Sequence, residues 1–309
     1  MKNILITGCA GFIGSHAVDC FLKNEDYFVV GYDLLTYAGK KRNLKNAIKS
    51  KNFKFVKGDI CNTNLIKKVC NEYNIQWIIN FAAETHVDNS IKNVDSFIHS
   101  NIKGVASILN VCKDYKINLL HISTDEIYGS RKNGSFEESD IFDPRNPYSA
   151  TKAASEHLVN SYVNTHDINA IIVRPSNNFG PRQHAEKFLP TILRSLKANK
   201  KVPIYGKGNQ VREWLYVKDN VAAVKHIMQY GKFGEVYNIT SNNEMENIYL
   251  VKKVCKILNK EFSKSVEFVK DRPGHDFRYS ITNKKLINSG FNLFSSFESS
   301  LNETLKEGE

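Results

Sequence analysis

The sequence predicts an α/β protein: a doubly wound parallel sheet followed by a smaller, discontinuous C-terminal lobe. Three observations predict it. Short β-branched runs alternate with segments of helical periodicity as far as about residue 175. A glycine-rich turn follows the first run directly, and beyond residue 175 the rhythm gives way to loop-rich stretches.

Taken in order, strands are expected over Asn3–Thr7, Phe28–Asp33, Phe53–Val56, Trp77–Phe81, Leu119–Ser123 and Ala170–Val173. Between them, Ala17, Val18, Phe21 and Leu22 recur with helical spacing, as do Ile102, Val105, Ile108, Leu109 and Cys112. Strands alternating with helices at this spacing call for parallel pairing with helices on both faces. Asn177–Arg182 and Tyr205–Asn209 read as loops, and Val236–Thr240 as a strand able to return to the main sheet. The first domain is therefore expected over residues 1–175 with 219–240, and the second lobe over 176–218 with 241–309, with a ligand between them.

Composition excludes several classes. No apolar run among the 309 residues reaches the roughly 18 that a membrane-spanning helix needs. The opening Met1–Gly8 meets turn residues too soon for a signal peptide, so a soluble, cytoplasmic protein is expected. Six scattered cysteines form no C-x-x-C pair, which argues against a disulfide framework or a closely spaced zinc site; no metal is expected. The formal charge of +11 is spread along the chain without a helix-turn-helix, zinc finger or aromatic RNA-reading motif. It suits an anionic small molecule better than nucleic acid.

Gly8, Gly11 and Gly14 lie between the first strand and the first helix, where glycines let a pyrophosphate approach the backbone and the helix N-terminus. The spacing is G-x-x-G-x-x-G, and a glycine triad alone also suits a purely structural turn. Asp33, 19 residues after Gly14 at the end of the second strand, supplies the context: an acid there binds ribose hydroxyls and repels a 2′-phosphate. NAD is thus favoured over NADP, although Arg42 stands near in sequence. Asp59-Ile60 after the third strand would face the adenine, and Ala82-Ala83 after the fourth would line the dinucleotide path.

Tyr148 and Lys152, four residues apart, share one helix face, where an ammonium can lower the phenol's pKa and favour a phenolate base. Ser123 and Thr124 close an intervening strand. With Gly8–Gly14 and Asp33, these residues resemble the extended short-chain dehydrogenase/reductase family, which implies a Rossmann-type domain, tightly held NAD and a nucleotide-sugar substrate. Ser123–Gly129 (STDEIYG) is similar to the dTDP-glucose 4,6-dehydratase signature, as are Tyr32–Gly39, Ala82–Ser90, Asn177–Pro190 and Asp271–Tyr279. The resemblance covers nearly the whole chain.

What the resemblance implies is specific. Cofactor contacts fall on Gly8, Gly11, Phe12, Ile13, Gly14, Asp33, Leu34, Thr36, Asp59, Ile60, Ala82, Ala83, Thr85, Ser123, Tyr148 and Lys152. Tyr148 takes the C4 hydroxyl proton, Thr124 holds the C4 oxygen, Glu126 abstracts the C5 proton and Asp125 protonates the departing C6 hydroxyl. Adjacent carboxylates separate their pKa values, but which one holds the proton belongs to the pair and is inherited from the family. Asn178, Lys187, Tyr205, Arg212, Asn247, Arg272 and His275 match substrate-binding positions of the C-terminal, substrate-binding lobe, with arginines for the diphosphate. A homodimer through two sheet-flanking helices is also implied. The chain departs from the family at Asn89 (often Arg), Ser100 (often Thr) and Phe179 (often Tyr), and has a shorter C-terminus. None touches the acid/base set. No residue distinguishes thymine from uracil, and a 4-epimerase or decarboxylase of the same superfamily, or a non-catalytic nucleotide-binding regulator, stands as the alternative.

Overall fold

Ile4, Leu5 and Ile6 of the first strand, β1 (Lys2–Thr7), are all fully buried, yet Ile4 and Ile6 join one apolar core and Leu5 another. Successive side chains of a strand point to opposite faces, so a strand buried on both sides belongs inside a sheet covered by helices. The computed structural model, which describes residues 1–271 and 276–307, places β1 at such a position.

Further strands are β2 (Tyr27–Asp33), β3 (Phe53–Lys57), β4 (Trp77–Asn80), β5 (Asn118–Ile122), β6 (Ala170–Pro175) and β7 (Asn177–Phe179). They are followed by β8 (Val202–Tyr205), β9 (Val211–Tyr216), β10 (Val236–Ile239), β11 (Glu244–Glu246) and β12 (Val266–Val269). The main sheet has seven strands in the order β10-β6-β5-β4-β1-β2-β3, every neighbouring pair parallel. The expected Rossmann-type sheet is thus present. The order reverses between β1 and β4, and ligands of open α/β sheets gather at the carboxyl ends of strands beside such a switch point.

Helices Phe12–Leu22 and Val217–Tyr230 bury Ala17, Val18, Phe21, Val224 and Ile227 against one face. Helices Thr63–Glu72, Val105–Tyr115 and Pro147–His166 bury Ile66, Val69, Ile108, Leu109 and Val159 against the other. Each fully buried aliphatic side chain contributes roughly 1.5–3 kcal/mol through removal from water. One expected helix differs from its periodicity: Ile98–Gly104, which includes Ile102, is π-helical before the α-helix starts at Val105. Close packing goes with it, since a Cβ on Gly104 would lie 2.3 Å from the Ile60 Cδ1.

Beyond β6 the chain forms a three-stranded sheet, β11-β9-β7, and a parallel pair, β12-β8. A third core gathers there, centred on Phe179, whose ring lies 5.6 Å from Tyr216 and 5.2 Å from Phe297. Phe179 is 1% exposed, so the tyrosine frequent in the family would carry a hydroxyl into an aromatic cluster. Phe12 and Ile13, in the first turn of the first helix, also pack on this core and tie the glycine turn to it. No helix among the described residues is long and apolar enough to cross a membrane.

Candidate active site

At the carboxyl ends of the central strands lies a cleft with a cavity volume of about 320 Å³. Its floor is the turn after β1. Gly8 has φ +64°, and a Cβ there would lie 2.7 Å from the Ala82 nitrogen. A Cβ on Gly14 would lie 2.2 Å from the Gly8 oxygen. Only bare backbone allows this turn to fold into the N-terminus of helix Phe12–Leu22, and bare amides at a helix start are what a pyrophosphate requires. Asp33 at the end of β2 is fixed by the Ala10 amide on Oδ2 (2.9 Å) and the Leu35 amide on Oδ1 (2.7 Å). This cradle and its buried carboxylate fit a dinucleotide.

The cleft gathers residues distant in sequence. It is lined by Gly8, Gly11, Phe12, Ile13 and Gly14, and by Asp33, Leu34 and Thr36 after β2. Asp59 and Ile60 after β3 join them, with Ala82, Ala83 and Thr85 after β4. From β5 onward come Ser123, Thr124, Asp125 and Glu126, and from helix Pro147–His166 come Tyr148 and Lys152. Asn178 and Lys187 complete the set from the chain beyond β6, the Lys187 ammonium donating to the Thr85 carbonyl at 3.0 Å.

Tyr205, Arg212 and Asn247 do not line this cleft. Tyr205 is 40% exposed at the end of β8, and Asn247 opens helix Asn247–Ile257. Arg212 is buried, donating to the carbonyls of Val211 (2.7 Å), Phe277 (3.3 Å) and Asp276 (3.0 Å), with its guanidinium 4.4 Å from the Tyr279 ring centroid. Arg272 and His275 lie outside the described residues.

Local sequence explains how the acid/base groups are aimed. Thr124 caps the short 3-10 turn Asp125–Tyr128, accepting from the Glu126 amide at 3.3 Å, and this turns Asp125 inward. Tyr128 anchors the turn from below by donating to Asn238 Oδ1 (2.9 Å) and accepting from Arg174. Arg174 in turn is paired with the fully buried Glu156 at 2.7 Å. Asn146 caps helix Pro147–His166 through a capping box with Ser149, which brings Tyr148 and Lys152 to the first two turns beside Thr124.

The electrostatics are unequal. Burial, then the charges of Glu126 and Glu213, hold the Asp125 carboxyl well above the usual carboxylate range. Its Oδ2 is buried without a protein partner, while Oδ1 accepts from Thr124 at 3.3 Å. Burial pushes Glu213 up to about 7 and Lys152 down to about 8. Tyr148 departs from the expected direction. Burial, followed by the charge of Glu126, pushes its phenol upward, while the Lys152 ammonium donates to the Ile122 carbonyl at 2.5 Å. Desolvation and carboxylates here outweigh the effect that the i,i+4 spacing suggests.

Three residues near these groups escaped the sequence reading. Asn146 donates to Glu126 Oε2 at 3.3 Å, and the Tyr279 hydroxyl approaches the same oxygen at 3.5 Å while donating to Asp276 Oδ2 at 2.6 Å. Glu213, next to Arg212 on β9, accepts from the Thr240 hydroxyl at 2.5 Å and acts on Asp125 through its charge. The Asn-Pro-x-Ser start of a helix could have pointed to Asn146 as a cap. Nothing local signals the other two.

Residues 5–304 match the family model described as GDP-mannose 4,6 dehydratase. The chain belongs to this family. It is a dTDP-glucose 4,6-dehydratase-like member of the extended short-chain dehydrogenase/reductases. It is 44% identical to the low-salt glycan biosynthesis protein Agl12 of Haloferax volcanii, over 97% of this chain and 96% of that protein. It is 38% identical to the dTDP-glucose 4,6-dehydratase of Haemophilus influenzae, over 99% and 97% of the two chains. Among solved structures, DesIV (dTDP-glucose 4,6-dehydratase) of Streptomyces venezuelae, crystallised with NAD and TYD bound, superposes with a TM-score of 0.95 at 35% identity. That match covers 99% of this chain and 96% of the other.

Proposed function

We propose that the chain is an NAD-dependent nucleoside-diphosphate-glucose 4,6-dehydratase, converting dTDP-glucose or UDP-glucose to its 4-keto-6-deoxy sugar. The observation that carries this reading is the pair Asp125 and Glu126 opening on the same cleft as Tyr148, with Asp125 buried and held toward its protonated form. A 4-epimerase or a decarboxylase expels no C6 hydroxyl and has no use for that acid.

Gly8, Gly11, Gly14, Asp33, Asp59 and the backbone near Ala82 would hold the dinucleotide. Bound NAD supplies the acceptor for the C4 hydride and returns the hydride at C6. Tyr148 receives the C4 hydroxyl proton, and Thr124 donates a hydrogen bond to the C4 oxygen. Lys152 fixes the end of β5 through Ile122 and so keeps Thr124 against Tyr148. Once C4 is a ketone, the C5 proton is acidic and passes to Glu126. Asp125 gives its proton to the C6 oxygen, which leaves as water, and Glu126 returns its proton to C5 as the hydride reaches C6. Asn178 and Lys187 bind on the sugar side of the cleft, and Tyr205, Arg212, Asn247, Arg272 and His275 serve the nucleoside diphosphate. The working form is a cytoplasmic homodimer paired through two sheet-flanking helices; a monomer mass independent of concentration in ultracentrifugation would count against it.

The test is direct. The purified protein is incubated separately with dTDP-glucose and UDP-glucose, and the alkaline absorbance of the 4-keto-6-deoxy product is read alongside the mass loss of one water. Product from either substrate supports the reading, and the ratio of rates assigns the base. Intact or epimerised sugar in both incubations, with NAD added, would overturn it.

A further inference from the structure

Behind the loop that follows β3, three side chains of different chemistry converge. A carboxylate oxygen of Asp59, the thiol sulfur of Cys61 and a ring nitrogen of His99 all lie within 4.8 Å of one another. His99 Nε2 is 2.9 Å from Asp59 Oδ2, and the Cys61 sulfur is 3.2 Å from the His99 carbonyl oxygen. We propose that Asp59, Cys61 and His99 form a binding site for a divalent ion of borderline softness, zinc first, which shares Asp59 with the cofactor cleft.

The site is held from several directions. The Cys61 amide donates to Asp59 Oδ1 at 2.8 Å, which fixes the carboxylate and leaves Oδ2 toward His99. The main chain is tied down as well: the Tyr32 hydroxyl and the Asn62 amide both donate to the Asp59 carbonyl, at 2.8 and 2.9 Å. His99 arrives from the π-helical segment Ile98–Gly104, a local widening of the helix that commonly accompanies functional positions.

The donor set selects the metal. Imidazole, thiolate and carboxylate together suit zinc, whereas magnesium and calcium take oxygen alone. Ordinary zinc–ligand bonds set donor separations of about 3.2–3.8 Å around a tetrahedron, so the His99 nitrogen and Asp59 oxygen, 2.9 Å apart, must part slightly and the sulfur must close by no more than about an ångström. A fourth position is left for water. Charge balances too: the Asp59 carboxylate and a Cys61 thiolate neutralise a dication. On binding, the Cys61 S–H bond breaks, an S–metal bond forms and the proton passes to solvent.

Asp59 also lines the large cleft. Metal and dinucleotide therefore draw on one carboxylate, and loading with either weakens the other. Only this coupling rests on the cofactor reading, and none of the measurements below depends on turnover.

Cobalt(II) is titrated into the full-length protein as purified, in thiol-free buffer. The expected result is one ion per chain, a thiolate-to-cobalt charge-transfer band in the near ultraviolet, visible bands of four-coordinate intensity, and displacement by zinc. Cys61→Ser removes the charge-transfer band, and His99→Gln weakens binding by at least about 10-fold, since losing a ligand costs no less than losing an outer-shell partner. Both variants are checked by thermal melting; His99 is exposed and Cys61 half-buried, so both should fold. A band that survives Cys61→Ser, or no binding up to millimolar cobalt, would overturn the site. Cobalt affinity that is the same in protein stripped of NAD and in protein saturated with it would overturn the shared carboxylate.

Discussion

Asn146 donates its side-chain amide to Glu126 Oε2 across 3.3 Å while its carbonyl oxygen caps the helix that carries Tyr148. One side chain thus sets both the start of that helix and the direction of a carboxylate twenty residues away. Removing it with Asn146→Ala should lower stability by about 0.5–2 kcal/mol through the lost cap. Asn146→Ser keeps a capping oxygen but cannot reach Glu126, so it should melt like wild type and still lose turnover. Thermal melts and kcat for the two variants separate the roles; equal turnover in both and in wild type would show that Glu126 does not depend on Asn146.

Tyr148 is 7% exposed, at the head of its helix, so deleting its hydroxyl removes little packing. Tyr148→Phe should reduce 4-keto-6-deoxy product by about 10²–10⁴-fold, the usual worth of a positioned proton-transfer group, with an unchanged melting temperature. Full activity would remove Tyr148 from the mechanism.

The Asp125 carboxyl, raised above its usual range, makes a two-sided prediction. A raised value in the folded state means that folding favours the protonated form. The stabilisation is complete below the ordinary carboxylate range and is lost as pH rises through the raised value. Asp125→Asn cannot ionise, so it should match wild type near pH 4 and melt higher at pH 8. Product formation should meanwhile fall by about 10²–10⁴-fold through loss of the acid. A lower melting temperature at pH 8 would mean that the burial of Asp125 is not unfavourable.

Glu213 acts on Asp125 by charge. Glu213→Gln should shift the alkaline limb of the kcat profile to lower pH, because Asp125 loses a neighbour that helps it keep its proton. The variant should also gain stability relative to wild type as pH rises from the ordinary carboxylate range to about 7, and gain no more above it, since the native Glu213 then ionises in both folded and unfolded states. A purely structural glutamate would leave the limb where it is.

Gly14 has no room for a side chain, since a Cβ would meet the Gly8 oxygen at 2.2 Å. Gly14→Ala should spread the cradle and lower the NAD content of the purified protein, read as dinucleotide recovered after denaturation. Undiminished NAD would show that the turn can yield.

Much of the sheet was legible because its signals are local. β1 alternates between two cores within three residues, and the turn after it needs glycine for reasons visible in the turn itself. The expected strands ended one residue late at Phe81 and Ser123, since both follow the last paired positions and belong to the cleft. The second layer of the site was not legible. Tyr279 reaches Glu126 from 153 residues away, Glu213 influences Asp125 from a strand outside the main sheet, and His99 meets Asp59 from a π-helical segment 40 residues on. At Lys152 the spacing gave the shared helix face with Tyr148 but not the direction of the ammonium, which donates to the Ile122 carbonyl.

Ile13 touches two of the apolar cores at once, the one under the main sheet and the one centred on Phe179, while its own turn lines the cleft. A hinge cannot easily open at such a place. Parting the two cores would strip greasy surface from both sides of the very turn whose bare amides suit a pyrophosphate. A dinucleotide seated there would need no separate latch. The seam between the cores would serve as one.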